Sequence, residues 1–359
     1  MGEHLELGTE LRTQQAVECS PDDGHLLKLS ILTQRGIRKD NPTDNVLHNQ
    51  SVPRGFSLNL CGHCNYKCTY CPTSLKRLPI ARISNEILEK VFNEYGTTPL
   101  YIQMGSRGEA LLHPQFFDIV RYIKNKCADT YICLNSNGYM FSDKIISGLI
   151  LSGVDQITVS LQTVNEELYE KIEDSKHFTQ VVERLAKLAK SLRDHKVKML
   201  LVAQFMDLPE NKPYKQQFRE YCDVNGIVMQ VIQLHEWGDK FETQLIDRAN
   251  RYPCPYLWLY PTVSHLGNLL PCCIDFFDEM PYGSIEDHSV GELWQGGTAE
   301  KMRKIHLSGK WNDIPMCRDC TQWCKLPNAF ERHGDGSFRI GVHYAGSPTT
   351  RHNTELIIT

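Results

Sequence analysis

The chain has 359 residues, of which 41% are hydrophobic and 23% are charged, as in an ordinary soluble globular protein. The net charge of −4 and the pI of about 6.4 provide no general electrostatic attraction to nucleic acid or to anionic membranes. No apolar run is long enough to cross a bilayer, and the N-terminus lacks a secretory signal pattern. We therefore expect a cytoplasmic protein with neither a nucleic-acid nor a membrane partner.

The first part of the chain, residues 1–52, is polar and weakly periodic, and Pro and Gly interrupt it repeatedly. We predict that it forms an extension with little core of its own, either a tail or a strap over the main domain. The main domain is predicted to begin at residue 53, where the pattern changes.

Strands and helices alternate through residues 53–236. Alternating or continuous apolar segments predict strands at 56–60, 100–104, 130–134, 156–161, 197–205 and 227–234. Apolar residues at helical spacing predict helices at 84–95, 113–126, 143–152, 166–172, 178–195 and 213–225. Six strand–helix units in succession predict parallel strands with crossover helices, so the fold class is α/β with a partial (β/α)6 barrel of the TIM type.

The alternation stops after residue 236, and the next segment, 237–326, is rich in Cys, Pro, Gly and Trp. We predict a small cluster-binding module there, with a hairpin over 267–273 and a helix over 298–307. The tail, 327–359, has several glycines and few apolar residues, and it is predicted to wrap the surface or to be loose.

Fourteen cysteines are unusual in a long chain of this type, and they indicate metal or cluster ligation rather than a disulfide scaffold. Cys64, Cys68 and Cys71 have the spacing Cys-x3-Cys-x2-Cys. Three thiolates on one short loop can bind three corners of a cubane iron–sulfur cluster and leave one iron open for another ligand. The alternative is a zinc knuckle completed by Cys61 or His63, but zinc sites usually combine Cys-x2-Cys pairs that lie far apart.

This triplet, with aromatic Tyr70 directly before its last cysteine, resembles the signature of the radical S-adenosylmethionine (SAM) superfamily. The resemblance implies that SAM binds the open iron of a [4Fe–4S] cluster and is cleaved to methionine and a 5′-deoxyadenosyl radical. That radical removes a hydrogen atom from the substrate. It also implies a reductant such as flavodoxin or ferredoxin.

Two further segments are similar to SAM-binding elements of this family. The segment 105–109, after the second predicted strand, resembles the family's Gly-Gly-Glu element. Arg107 replaces the first glycine of that pair, so only Gly108 and Glu109 match the family's element. Asn135 opens an Asn-Ser-Asn-Gly segment at the end of the third strand, where the family has Thr-Asn-Gly.

Ser160 and Gln162, at the end of the fourth strand, resemble the family's ribose contacts. The family often has Asp at the position of Gln162. Glycines and polar residues also form ordinary turns at strand ends, so these residues alone do not decide between a turn and a cofactor contact. Their order after successive strands favours the cofactor contact.

Four more cysteines, Cys254, Cys272, Cys317 and Cys320, can enclose one complete cluster. Their spacing resembles the SPASM/twitch extension of radical SAM enzymes, in the shorter form with one auxiliary [4Fe–4S] cluster. A zinc site with the same four thiolate ligands is the alternative. Cys273 competes with Cys272 for one ligand position, and we favour Cys272 on spacing.

The resemblance implies that the auxiliary cluster accepts one electron, which makes two-electron oxidation of a small polar metabolite the leading hypothesis. The metabolite class is a sugar, an aminocyclitol or a nucleoside. One alternative is a maturase of a ribosomally made peptide, which usually carries a longer N-terminal peptide-binding domain. Another is an epimerase that returns a hydrogen atom from a thiol, for which Cys133 and Cys324 are the candidates.

Overall fold

The computed structural model describes residues 52–53, 55–98, 100–234, 237, 240 and 251–325, together with the backbone of three short strands nearer the C-terminus. The predicted N-terminal extension therefore lies outside the described residues except for Val52. Side chains are described up to Trp323, so the thiol of Cys324 lies outside them.

Six parallel strands form the main sheet, in the spatial order β6-β5-β4-β3-β2-β1. Their bounds are β1 Gly55–Leu58, β2 Tyr101–Met104, β3 Tyr131–Ser136, β4 Gln156–Gln162, β5 Leu200–Met206 and β6 Val228–Ile232. Because each strand lies beside its predecessor in the chain and a helical segment follows each of the first five, the sheet is a partial barrel of the TIM type. The predicted fold class is confirmed.

Helices cover the outer face of this sheet. They are α1 Asn85–Tyr95, α2 Phe116–Lys126, α3 Asp143–Ser152, α4 Glu166–Glu173, α5 Phe178–Asp194 and α6 Lys215–Asn225. Local chemistry fixes their starts, since the side chains of Ser84, Ser142 and Asn165 accept hydrogen bonds from backbone N–H groups in the first turn. None of the described helices is both long and apolar enough to cross a bilayer.

Side chains alternate between the two faces of each strand. The outward residues, such as Ile102, Leu134, Val159 and Phe205, join the helices in one hydrophobic core. The inward residues are largely polar, and they line the interior of the partial barrel, which we call the lumen.

The C-terminal module continues the barrel's sheet. Strand β7 (Thr262–Val263) pairs parallel with β1, and then β8 (Asn268–Leu270) and β9 (Gly283–Ser284) follow as antiparallel neighbours. Helices α7 to α10 cover this extension, at Tyr256–Leu259, Val290–Gln295, Gly297–Leu307 and Pro315–Arg318. The predicted hairpin is therefore β7–β8, and its second strand ends just before Cys272.

The tail differs from its prediction. Three strands, β10 Glu331–Arg332, β11 Phe338–Val342 and β12 Thr354–Ile358, pair antiparallel in a separate small sheet. The expectation of a loose tail was wrong for these residues, because apolar residues alternate along β11 and are frequent in β12.

Candidate functional site

The cysteine triplet lies on the loop that follows β1, at the edge where the parallel strands end. Cys64, Cys68 and Cys71 are half-buried. Burial raises the pKa of each thiol, to about 12 for Cys64, and each thiolate charge also acts on its neighbours. The three become thiolates together only where a cationic metal centre lies between them, so this donor set fits an iron–sulfur cluster.

The alternative fourth zinc ligand, Cys61, is engaged elsewhere. It is fully buried, and its thiol donates to the backbone carbonyl of Glu109 at 3.1 Å. Across the described residues, no three His, Cys, Asp or Glu side chains are grouped closely enough to hold a single metal ion. Thiolates that bind a cubane instead each ligate a separate iron.

Glu173, in the last turn of α4, supports the triplet and was missed by the sequence analysis. Its side chain is fully buried and accepts hydrogen bonds from the thiol of Cys68 at 2.8 Å and from the hydroxyl of Tyr70 at 3.0 Å. Burial raises its pKa to about 7. The available signal was an acidic residue on the apolar face of an amphipathic helix, beside Tyr169 and Ile172.

The second predicted SAM element packs against the cysteine loop. Gly108 has φ +67°, and a Cβ there would lie 2.5 Å from the carbonyl oxygen of Cys61 and 2.7 Å from that of His63. Only glycine, which has no Cβ, can lie this close to the two carbonyl oxygens at a positive φ. The N–H of Glu109 donates to the carbonyl of His63 at 3.0 Å, so the two loops are joined.

The carboxylate of Glu109 is 1% exposed and lies between the ends of β2 and β3. It accepts hydrogen bonds from the Ser136 hydroxyl at 3.1 Å and from the N–H of Asn137 at 3.0 Å. Burial raises its pKa to about 7. Its charge in turn contributes to the raised pKa of Cys64, which places it beside the triplet.

Arg107, which replaces a family glycine, turns away from this element. Its side chain is buried, forms an ion pair with Asp278 and donates to the carbonyl of Asp275 at 2.6 Å. Both aspartates follow the predicted auxiliary ligand Cys272 in the chain. Arg107 therefore joins the SAM-element loop to the C-terminal module.

The remaining predicted SAM contacts fall into two groups. Gln162 is buried, has φ +64° at the end of β4, and donates to the Tyr70 hydroxyl at 3.0 Å. Asn135 and Ser160 are half-buried and lie on the lumen face of β3 and β4. The structure thus brings Tyr70, Gln162 and the triplet together, and Asn135 and Ser160 line the adjacent lumen.

The lumen contains a row of uncharged polar side chains that we call the amide row: Ser160, Gln204 and Gln230. The Ser160 hydroxyl donates to the Gln204 carbonyl oxygen at 3.3 Å, and the Gln204 amide donates to Gln230 at 3.1 Å. All three are half-buried. Cys133 is 1% exposed, and its sulfur lies 3.7 Å from Asn135 and 3.8 Å from Thr158.

Four buried or half-buried tyrosines, which we call the tyrosine chain, run from the lumen toward the C-terminal module. Tyr131 stacks on Tyr101 with ring centroids 5.8 Å apart, and Tyr101 lies 5.8 Å from Tyr260. Tyr260 contacts Tyr256 at 6.4 Å. The pKa of Tyr256 is raised by burial and then by the nearby thiols of Cys273, Cys254 and Cys272, so the chain ends at the predicted auxiliary site.

Cysteines from three separate segments converge at that site. Beyond burial, the raised pKa of Cys272 has contributions from the charges of Cys273, Cys254 and Cys317. Cys320 is also buried, and its sulfur accepts a hydrogen bond from the N–H of Gln322. Cys272 and Cys273 both lie in this group, so the choice between them stays a prediction.

The comparisons identify the family. A match to the radical SAM superfamily covers residues 58–206, and a match to the SPASM iron–sulfur cluster-binding domain covers residues 254–321. The chain belongs to the radical SAM superfamily. As a radical SAM enzyme with a SPASM domain, it uses SAM, a [4Fe–4S] cluster and auxiliary iron–sulfur ligation, which confirms the cluster interpretation over zinc.

Curated relatives match this radical SAM protein only in part. The GTP 3′,8-cyclase of Chlorobaculum tepidum is 30% identical over 136 residues, which cover 35% of this chain and 38% of that protein. The probable GTP 3′,8-cyclase of Methanococcus maripaludis is 29% identical over 185 residues, or 50% of this chain and 59% of that protein. The chain spans less than two thirds of the length of each.

Solved structures share the fold of this radical SAM enzyme. BtrN in complex with AdoMet and 2-DOIA has a TM-score of 0.53 and 16% identity, with 75% of this chain and 93% of that chain covered. Streptococcus suis SuiB bound to the precursor peptide SuiA has a TM-score of 0.60 and 12% identity, with 75% and 71% covered. At these identities the likeness concerns the fold alone.

Proposed function

We propose that this enzyme is a radical SAM oxidoreductase that dehydrogenates a small polar metabolite of the sugar, aminocyclitol or nucleoside type. When bound, SAM and the first cluster supply a 5′-deoxyadenosyl radical that takes a hydrogen atom from a carbon bearing OH or NH. Completing the oxidation requires the loss of one proton and one electron, and the auxiliary cluster, when bound, would supply the acceptor for that electron. A flavodoxin or ferredoxin supplies the electron that starts each turnover.

The proposal assigns three groups of residues. Cys64, Cys68 and Cys71 ligate the first cluster. Cys254, Cys272, Cys317 and Cys320 ligate one auxiliary cluster. Tyr70, Gly108, Glu109, Asn135, Ser160 and Gln162 form the SAM site. The barrel is assigned to residues 53–236 and the auxiliary module to 237–326.

The observation that carries the proposal is an uncharged polar lumen joined by tyrosines to the auxiliary cysteines. The six parallel strands that the structure describes contain no Asp, Glu, Lys or Arg. Triphosphates are usually bound by Arg, Lys or metal ions, so these strands favour a substrate without phosphate groups over GTP. Amide and hydroxyl groups, as in the amide row, hydrogen-bond well to the hydroxyls of a sugar or cyclitol ring.

The tyrosine chain favours oxidation over epimerisation, because it offers a continuous aromatic path by which an electron can leave the lumen. A hydrogen donor, in contrast, must contact the substrate carbon. Cys133 is 1% exposed and contacts Asn135 and Thr158, which disfavours direct donation by its thiol. A peptide maturase is the remaining alternative.

The test uses the anaerobically reconstituted full chain with SAM, dithionite and a panel of deuterated candidates: an aminocyclitol, a sugar, GTP and a peptide. We expect deuterium to enter 5′-deoxyadenosine and the aminocyclitol or sugar to lose two hydrogens. Tyr260→Leu is expected to slow product formation more than Tyr260→Phe does, because phenylalanine keeps the aromatic ring. A GTP-derived product, or a stereoinverted product of unchanged hydrogen count, contradicts the proposal.

A further inference from the structure

One arginine lies directly beside the predicted auxiliary ligands. Arg251 is three residues before Cys254 in the chain. Its guanidinium donates to the carbonyl oxygen of Cys317 at 2.6 Å and to that of Arg318 at 3.0 Å. A single side chain therefore connects the segments that contribute two of the four cysteines.

Aromatic rings hold this guanidinium in place. Its carbon lies 4.9 Å from the ring centroid of Trp311 and 5.7 Å from that of Trp323. Trp323 is 3% exposed and contacts Tyr252 edge-on at 5.1 Å. Cation–π contacts of this kind hold a guanidinium group in a fixed position.

The segments that Arg251 joins are also held by His306, whose ring accepts a hydrogen bond from the N–H of Cys254 at 3.2 Å. A guanidinium group stays protonated in proteins, so Arg251 places a permanent positive charge beside the backbone of Cys317.

We propose that Arg251 is the residue that raises the reduction potential of the auxiliary cluster and so makes it a competent electron acceptor. A cluster held by four thiolates is anionic, and each added electron makes it one unit more negative. A fixed positive charge at the ligands stabilises the reduced state more than the oxidised state, and net charge is one of the terms that set cluster potentials. The inference rests on the auxiliary ligand set proposed above.

The test is a redox titration of the reconstituted full chain, monitored by EPR, in which Cys64→Ala identifies the signals of the first cluster. We expect Arg251→Gln to lower the midpoint potential of the auxiliary cluster. Arg251→Lys, which keeps the positive charge, should leave that potential close to the wild-type value. Arg303→Gln is the matched control. Arg303 also stacks on a tryptophan, Trp294, at 4.3 Å and donates to a backbone carbonyl, that of Leu257, at 2.9 Å.

Each outcome is decisive. An unchanged potential in Arg251→Gln, or an equal decrease in Arg303→Gln, overturns the proposal. If Arg251→Gln fails to assemble the cluster, Arg251→Lys decides: an assembled cluster near the wild-type potential supports the role of charge, and loss of the cluster overturns it. Cys254→Ala in the same titration separates the two claims, because an intact auxiliary signal there contradicts the ligand set instead.

Discussion

The two cysteine sites of this protein are built in opposite ways. The first takes all its predicted ligands from one loop of eight residues after β1, and neighbouring strand ends hold that loop through Glu109 and Gln162. The auxiliary site instead gathers cysteines from segments that are far apart in the chain. The first site is open to a further ligand, whereas the second has enough thiols to close itself.

This difference separates the chemistry of the two sites. A cluster held by one local loop would keep a side open for SAM and the substrate, and this loop lies at the edge where the strands of the barrel end. A closed cluster only exchanges electrons unless it loses a ligand. The tyrosine chain and Arg107 connect the two sites, one through the lumen and one through the SAM-element loop.

The largest effects are expected for the cysteines themselves. Cys64→Ala and Cys254→Ala should each remove about half of the iron and labile sulfide per chain, because each disables one of two cubanes. Only Cys254→Ala should retain SAM cleavage to 5′-deoxyadenosine. Full iron content in Cys254→Ala would show that the closed site uses other ligands.

Gly108 tests how tightly the first site is packed. Gly108→Ala should destabilise the protein by about 4 kcal/mol, since a Cβ 2.5 Å from the carbonyl of Cys61 forces the two loops apart at a positive φ. Gly226→Ala is the control, because Gly226 has the same φ of +67° in the left-handed helical region, and a Cβ there would meet only the Arg193 side chain at 3.5 Å; it should cost about 1–2 kcal/mol. Equal losses in denaturant titrations of the apo-protein would contradict this packing.

Glu173 gives the first site a pH dependence. Its folded pKa of about 7 lies above the ordinary value of 4.5, so the buried carboxyl is tolerated best when protonated. The apo-protein should lose stability as the pH rises from about 4.5 to about 7, and Glu173→Gln should recover ~3 kcal/mol above that range. Glu86→Gln, at an exposed helix start, should leave the loss of stability between these pH values unchanged, because hydrogen bonds to its own backbone and to Ser84 lower the pKa of Glu86 below the ordinary value. Parallel profiles for wild type and Glu173→Gln would refute the assignment.

The smallest effect is expected at the contact between the barrel and the C-terminal module. The carboxylate of Glu94, on α1, accepts hydrogen bonds from the N–H groups of Val290 and Gly291 at 2.7 Å each, and so caps the first turn of α8. Glu94→Ala should cost about 1–2 kcal/mol. The exposed pair of Glu300 with Lys304 provides a control, and Glu300→Ala should change the free energy of unfolding by less than about 0.5 kcal/mol.

Much of the barrel was predictable because its signals are local. Helix α3 begins and ends at the predicted residues, with Ser142 as its cap and Gly153 after its end. The triplet was predicted from its spacing on one short loop, and Tyr70 and Gly108 from the resemblance of their segments to motifs of the family. These positions depend on neighbours in sequence, which a pattern can show.

Contacts between distant segments could not be predicted in this way. Glu173 reaches Cys68 across more than a hundred residues, and Arg107 reaches Asp278 across a still longer separation. The parallel pairing of β7 with β1 is also absent from any local pattern, because each strand is short. Such contacts follow from tertiary packing. Cys272 and Cys273 both lie among the auxiliary cysteines, so the preference for Cys272 stays a prediction.

The most direct test of the account measures 5′-deoxyadenosine release from the anaerobically reconstituted protein with SAM and dithionite. Wild type is expected to release it, and the Cys71→Ala variant is expected to release none, because one ligand of the open cluster is gone. Absence of release from the wild type with its clusters assembled, or release that survives Cys71→Ala, would contradict the central claim that this triplet holds the SAM-cleaving cluster.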